Sequence, residues 1–388
     1  MESRMTMNLG IRPQRSGLFA SGVVLALIVF LCTQDGGAWT VINLHPAGAS
    51  DSYATGVRSG QQVGWSLMGG LRRGGVWSGS AGSWVDLHPS GTWMSHGVDT
   101  DGVQQVGIVW PAPYARPRAA LWTGSASSWV DLHPAGAYES QAEGVYGGQQ
   151  VGYYMPASIG HACLWSGSAA SVVSLHPAVP GTSRSHAYDI HGGQQVGFVG
   201  FGQYPSNEQL HASLWYGSSA SWVDLHPAGA SESRAYDVYA GQQVGYANIG
   251  GSDRASLWAG SAASWVDLNP IGATASQAWG VYAGQQVGYA EFGGNNRASL
   301  WTGSASSWVD LHAYLSPEFT NSYAIEIWQD AGFTYVVGFG FNSTTNRTEA
   351  LMWVVPEPGS LSLLALCAVP ALRRRRPRHR PQVGIAEL

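Results

Sequence analysis

The chain has 388 residues with 19 basic against 24 acidic side chains, no lysine, 52 glycines and 18 tryptophans. With 45% apolar and only 11% charged residues it can bury a large core, which excludes a disordered chain. Between Trp39 and Val355, 10 Arg stand against 20 Asp and Glu, and that balance of −10 leaves no basic stripe for a nucleic acid.

At the N-terminus, Arg12 and Arg15 precede an apolar run from Gly17 to Cys32 and small residues ending at Ala38. That order predicts a secretory signal peptide over residues 1–38, cleaved or kept as an anchor. Bulky Val29, Phe30 and Leu31 do not suit lipidation at Cys32. Of the three cysteines only Cys163 lies in the body, so neither an intramolecular disulfide nor a metal-ligand spacing is available there.

From Trp39 to Val355 the chain is an internal repeat. The Trp of "SLW", the Leu of "DLHP" and the Gly of "QQVG" each occur seven times. Trp to Leu is ten residues in every unit holding both, as from Trp215 to Leu225, while Gly to the next Trp varies from 13 to 18. The rigid intervals mark packed structure and the elastic one a loop. Each unit holds four strand-like pieces, such as "HASLW", "SWVDLH", "SRAYDVY" and "QQVGYA", rich in Val, Tyr and Trp and bounded by turn residues. Four strands per unit of this length is the period of a β-propeller blade. The first unit lacks its "SLW" strand, and Glu349–Trp353 supplies one at the far end with no unit after it. The expectation is an all-β, seven-bladed β-propeller over 39–355, closed by pairing the C-terminal strand with the N-terminal blade. Grouping the strands from "SLW" onward puts three strands of the closing blade at the start of the chain and one at its end.

In such a sheet the repeated "HPAG" segments and the elastic loops share one face, where a binding surface is expected. The repeated histidines, from His45 to His312, diverge around the axis and are broken by Asn269, so local hydrogen bonding is expected of them rather than a metal site. Near-identical copies have near-identical environments, so departures from the repeat are the better candidates. Two elastic loops depart most. One carries Trp110, Tyr114, Arg116 and Arg118, and the other Tyr204, Asn207 and Glu208, as candidate ligand-binding residues. No catalytic constellation and no cofactor motif is recognisable. An enzyme reading would start from the unmatched acids Glu208, Glu291 and Glu326.

The C-terminal tail reads "VPEPGSLSLLALCAVPALRRRRPRHR". Pro356, Glu357 and Pro358, a short apolar stretch and the basic cluster Arg373, Arg374, Arg375 and Arg376 resemble the PEP-CTERM sorting signal of Gram-negative bacteria. The resemblance implies a sorting segment over 356–380 with a short tail at 381–388, processing by the membrane enzyme exosortase, and an association with the cell surface and exopolysaccharide. The apolar stretch alone, about 18 Å as a helix, is short of the ~30 Å hydrocarbon core. The body resembles bacterial extracellular repeats of the HAF family through residues such as Ala212, Leu214, Trp215, Asp224, Leu225, Ser233, Ala235, Gly241, Val244 and Gly245. That resemblance implies an exported propeller and brings no catalytic residues. The expected function is a non-catalytic binding or scaffold protein at the cell surface, with exopolysaccharide or another surface protein as partner. The alternative is a propeller glycoside hydrolase or polysaccharide lyase.

Overall fold

A computed structural model describes residues 39–356. The proposed signal peptide, Glu357 and Pro358 of the tripeptide, and the basic cluster lie outside the described residues. Among the described residues there are seven four-stranded antiparallel sheets, and the only helical pieces are 3-10 turns of three residues. No helix among the described residues is long and apolar enough to cross a membrane.

Blade five shows how a unit folds. Glu232–Tyr239, Gln242–Ile249, Ser252–Trp258 and Val266–Asp267 pair in chain order. The first strand alternates between half-buried and buried residues until Asp237 and Val238 are buried in succession. That doublet marks a β-bulge, where two residues oppose one. The chain leaves the outermost strand through Leu268, Asn269 and Pro270, and a proline cannot extend a ladder. The first strand of each blade touches the first strands of both neighbours, and that of blade seven touches that of blade one. Seven blades therefore form a closed ring.

The blade boundary differs from the expected grouping by two strands. Each sheet begins with the Ser-x-Ala strand, because the "HPAG" connection crosses to the next blade rather than staying in one. Blade seven consequently takes Phe319–Asp330, Phe333–Asn342 and Arg347–Pro356 from the C-terminus and only Thr40–Asn43 from the N-terminus. The pairing itself is as expected: Val41 lies opposite Trp353, Asn43 opposite Leu351, and the Leu44 amide donates to the Ala350 carbonyl at 2.8 Å. A shift of two strands preserves direction, so the "HPAG" connections and the elastic loops still share a face. Pro356 of the tripeptide ends the last strand, opposite Phe333.

Seven apolar clusters fill the seven blade interfaces. At one of them Leu214 and Leu225 of blade four meet Ala235, Val238 and Trp258 of blade five. All seven "SLW" tryptophans are fully buried at such interfaces. A polar relay accompanies each. The Ala212 amide in blade four donates to Ser233 Oγ in blade five, which bonds His226 Nδ1 at 2.8 Å. The imidazole Nε2 bonds the Ala230 carbonyl at 3.1 Å, so Nε2 carries the proton and Nδ1 accepts from the serine. Burial, then the charge of His211, lowers the pKa of His226 and favours this neutral form. Asn269 continues the series because its Oδ1 also accepts from the serine, Ser276, at 2.6 Å. At the closing interface Ala350 and Ser52 make the same bond.

Trp258→Ala would empty one interface and is expected to cost about 3–5 kcal/mol in urea unfolding, as for buried aromatic residues generally. A loss below about 1 kcal/mol would contradict the assignment of these rings to the blade interfaces.

Candidate functional site

The bulge builds the site. Each first strand breaks register just after its small Ser-x-Ala (or Ser-x-Gly) segment, leaving one extra residue: Thr55, Val98, Glu143, Tyr188, Tyr236, Trp279 or Ile325. The repeated Gly of "QQVG" makes room for it. A Cβ on Gly245 would stand 1.9 Å from the Arg234 carbonyl oxygen that the bulge pushes across. All seven extra residues line one axial cavity of about 400 Å³, together with Asp99, Asp189, Asp237, Gln277 and Glu326. Blade for blade the scaffold is nearly constant, yet this position holds six different residue types.

The next residue in each strand forms the floor. Around the ring it reads Gly56, Asp99, Gly144, Asp189, Asp237, Gly280 and Glu326. Glycine and acid alternate because each glycine seats the acid of the following blade: a Cβ on Gly144 would come within 3.0 Å of an Asp189 oxygen, and one on Gly56 within 3.1 Å of an Asp99 oxygen. Seven is odd, so alternation must fail once, and it fails where Asp189 and Asp237 are neighbours. Asp99, Asp189 and Asp237 also tie each blade to the next, while Glu326 bonds within its own strand. Asp99 accepts from the Val145 amide at 2.8 Å and the Thr100 amide at 2.6 Å, Asp189 from Val238, Asp237 from Val238 and Val281, and Glu326 from Ile327. Burial, with the neighbouring Asp189, pushes Asp99 up to about 8. Burial also raises Asp237, reinforced by Glu326, and Glu326, reinforced by Asp99. Glu143 is raised to about 7 by burial, and among the described residues no hydrogen bond holds its carboxyl.

Beyond the floor the axis is stoppered. Tyr146, His191, Tyr239, Tyr282 and Trp328 touch in sequence around it with centroids 4.2–4.5 Å apart. The Arg58 guanidinium completes the circle, 4.4 Å from the Trp328 ring and 4.9 Å from that of Tyr146. It covers the sector of blade two, where Asp101 is drawn into a turn by the amides of Val103 and Gln104. Only about 30 Å³ remains between floor and stopper. The first strands run from the "HPAG" connections through bulge and floor to the stopper, so the cavity is a blind funnel on the "HPAG" side.

The candidates read from the elastic loops do not line the funnel. Tyr114 is 98% exposed, and Arg116 lies over the Tyr138 ring at 4.5 Å. Arg118 bonds Asp131 at 2.8 Å, the same pair that Arg254 makes with Asp267 and Arg297 with Asp310, so it follows the repeat rather than departing from it. Trp110 ends a second strand with its ring 4.9 Å from His96. The other loop is a lengthened hairpin, Gln194–Gln203 paired with Asn207–Trp215. There Arg184 joins two of the candidates, pairing with Glu208 at 2.9 Å and covering the Tyr204 ring at 4.8 Å, while Asn207 is exposed. Of the three acids singled out for an enzyme, Glu326 reaches the funnel floor and Glu208 and Glu291 do not line the cavity. Sequence reasoning missed Glu143, Tyr188, Tyr236 and Trp279. Their signal was variation at one column inside an otherwise constant strand.

The raised carboxyls carry a pH signature. A group whose folded pKa exceeds its unfolded value contributes stability that is complete below the unfolded value and lost as pH rises through the folded one. For Asp99 that window runs from 3.8 to about 8. Asp99→Asn is therefore expected to flatten the decline of urea-unfolding stability with rising pH relative to the unaltered chain, a comparison in which the histidine contributions cancel. An unchanged slope would count against the protonated floor.

No protein-family model matches the chain, and no curated protein matches it. Among solved structures, an acylaminoacyl peptidase of Pyrococcus horikoshii is similar over 78% of this chain and 51% of its own, with 11% identity and TM-score 0.50. TolB of Acinetobacter baumannii is similar over 66% of this chain and 64% of its own, with 8% identity and TM-score 0.42. A Trypanosoma rangeli sialidase in complex with sialic acid is similar over 86% of this chain and 59% of its own, with 10% identity and TM-score 0.40. The chain thus spans between half and two thirds of these proteins. At such identities the likeness concerns the fold alone.

Proposed function

We propose that this protein is an exported, non-catalytic binding propeller whose axial funnel receives part of an extracellular polysaccharide, and that a PEP-CTERM-type tail processed by exosortase places it at the cell surface. One observation carries the binding part: in a nearly constant repeat, the bulge position is diverse and every copy faces the same cavity. Its volume falls in the range of about 300–1,000 Å³ usual for small-ligand sites. The faces of Tyr188, Tyr236 and Trp279 suit the apolar faces of sugar rings. Glycan hydrolysis by the usual route needs two working carboxyls. Four of the five in the funnel are tied to backbone amides, which supports binding over chemistry.

A second reading, the glycoside hydrolase or polysaccharide lyase, is favoured by Glu143 alone. A carboxyl raised to about 7 and unheld by hydrogen bonds has the properties of a general acid near neutral pH.

Retention of the full chain on the host's exopolysaccharide tests both. Tyr236→Ala with Trp279→Ala should weaken retention at least about tenfold, equivalent to roughly 1.4 kcal/mol. Arg116→Ala should leave it intact. Equal retention by the funnel variant and the unaltered chain would remove the funnel as the site, and release of new sugar ends would favour the hydrolase. In the same cells, C-terminal mass spectrometry with and without exosortase should show the tail processed only when the enzyme is present; an identical C-terminus in both would remove the sorting part.

A further inference from the structure

Resting on the funnel as the binding site, we infer that the group reaching its floor is cationic, the free ammonium of an amino sugar. The charged residues lining the cavity are all acidic: Asp99, Glu143, Asp189, Asp237 and Glu326. No arginine lines the cavity itself. Arg184 is paired with Glu208 at 2.9 Å, Arg234 lies 3.7 Å from Glu232 and over the Phe198 ring, and Arg72 covers Trp65 at 5.0 Å. Arg58 sits in the stopper behind the floor, between Tyr146 and Trp328.

Three features make this more than a group of acids. First, the acids face an open cavity of about 400 Å³ rather than packed protein. Second, the walls are aromatic: Tyr188 and Tyr236 lie 5.3 Å apart, and Trp279 is held by its Nε1 bond to Gln277 at 2.9 Å. Such faces attract a cation and stack on a sugar ring alike. Third, Glu143 stands on the wall with no hydrogen bond of its own among the described residues, so its carboxylate is available to an incoming donor.

The chemistry then selects among sugars. A carboxylated or sulfated residue would meet five acids and no lining cation. A neutral acetamide brings no positive charge, so the floor carboxyls would stay protonated and gain nothing by ionising. An ammonium offers three donors and a positive charge that favours the ionised form of the acids that burial keeps protonated. Binding is therefore expected to release protons from the protein. The funnel is blind, so a chain end or side branch enters and the chain does not thread through. A lysine side chain carries the same charge but leaves most of the aromatic wall uncovered, which favours the sugar.

Calorimetric titration of the full chain with glucosamine oligosaccharides, their fully N-acetylated counterparts of equal length, and a lysine peptide decides the matter. At neutral pH the free-amine oligosaccharide should bind at least about tenfold tighter than the acetylated one, with a heat that depends on the ionisation enthalpy of the buffer. Glu143→Gln should abolish most of that preference. The comparison between ligands on the unaltered chain needs no variant to fold. Equal affinity for both oligosaccharides would overturn the charge inference while leaving the funnel as a sugar site. Neither binding, with exopolysaccharide still retained through Tyr236 and Trp279, would do the same. Neither binding and no retention would overturn both, and tighter binding of the lysine peptide would overturn the choice of sugar.

Discussion

The structure depends on a ladder of four residue pairs between the two ends of the repeat region. Thr40–Asn43 lies against the last strand, and Asn43 Nδ2 donates to Glu349 Oε2 at 2.6 Å across 306 residues of chain. Joining ends so far apart costs roughly 5 kcal/mol of chain entropy beyond a constant, by the logarithmic law for loop closure. Against it stand the backbone bonds of the ladder and the complete burial of Leu44, Ala350 and Trp353, with large buried side chains contributing about 1.5–3 kcal/mol each. Without this closure there would be six full blades, an incomplete seventh and two open sheet edges. There would also be no common axis, and so no funnel.

Once the ring closes, one local irregularity does the rest. The bulge in each first strand accounts for the glycine of "QQVG", turns one residue per blade toward the axis, and sets the following residue on the floor. Scaffold and site use separate columns of the repeat. The tryptophans, serines and histidines repeat because each interface makes the same contacts, and the second glutamine because it makes the same bonds within its own blade, as when Gln243 Oε1 accepts from the Gly260 amide at 2.7 Å and Nε2 donates to the Gly241 carbonyl at 2.9 Å. The bulge column is free of that duty and differs. The floor serves both ends, since Asp99, Asp189 and Asp237 link blades through backbone amides while the floor gathers ionisable carboxyls beneath an open cavity.

The architecture was legible in the sequence for a physical reason. Packed strands tolerate no change in length, so the ten-residue step from Trp to Leu persists while the elastic loops drift. The closing pair was legible because a lone "SLW" strand at Ala350–Trp353 has no other partner. Blade boundaries were not, because hydrogen bonding between strands leaves no mark on spacing and both groupings give four strands. The site was harder still. Tyr236 and Asp237 read as consecutive residues of an ordinary alternating strand, and only the bulge sends the one to the wall and the other to the floor. Tyr204 and Glu208 looked like a binding loop because the chain is longer there; the extra residues extend a hairpin, and Glu208 is satisfied by Arg184. Arg118 looked like a departure because its loop is proline-rich, yet it makes the pair with Asp131 that other blades repeat.

Amide hydrogen exchange at Leu44 tests the closed ring most directly. Its N–H reaches the Ala350 carbonyl only if the N-terminal strand completes the last blade. A closed ring predicts that this amide exchanges through global unfolding alone, with the same free energy as the amide of a central residue such as Val287. Exchange at the rate of a fraying terminus, while Val287 stays protected, would show that the ends do not hold each other, and the axial funnel would lose its foundation.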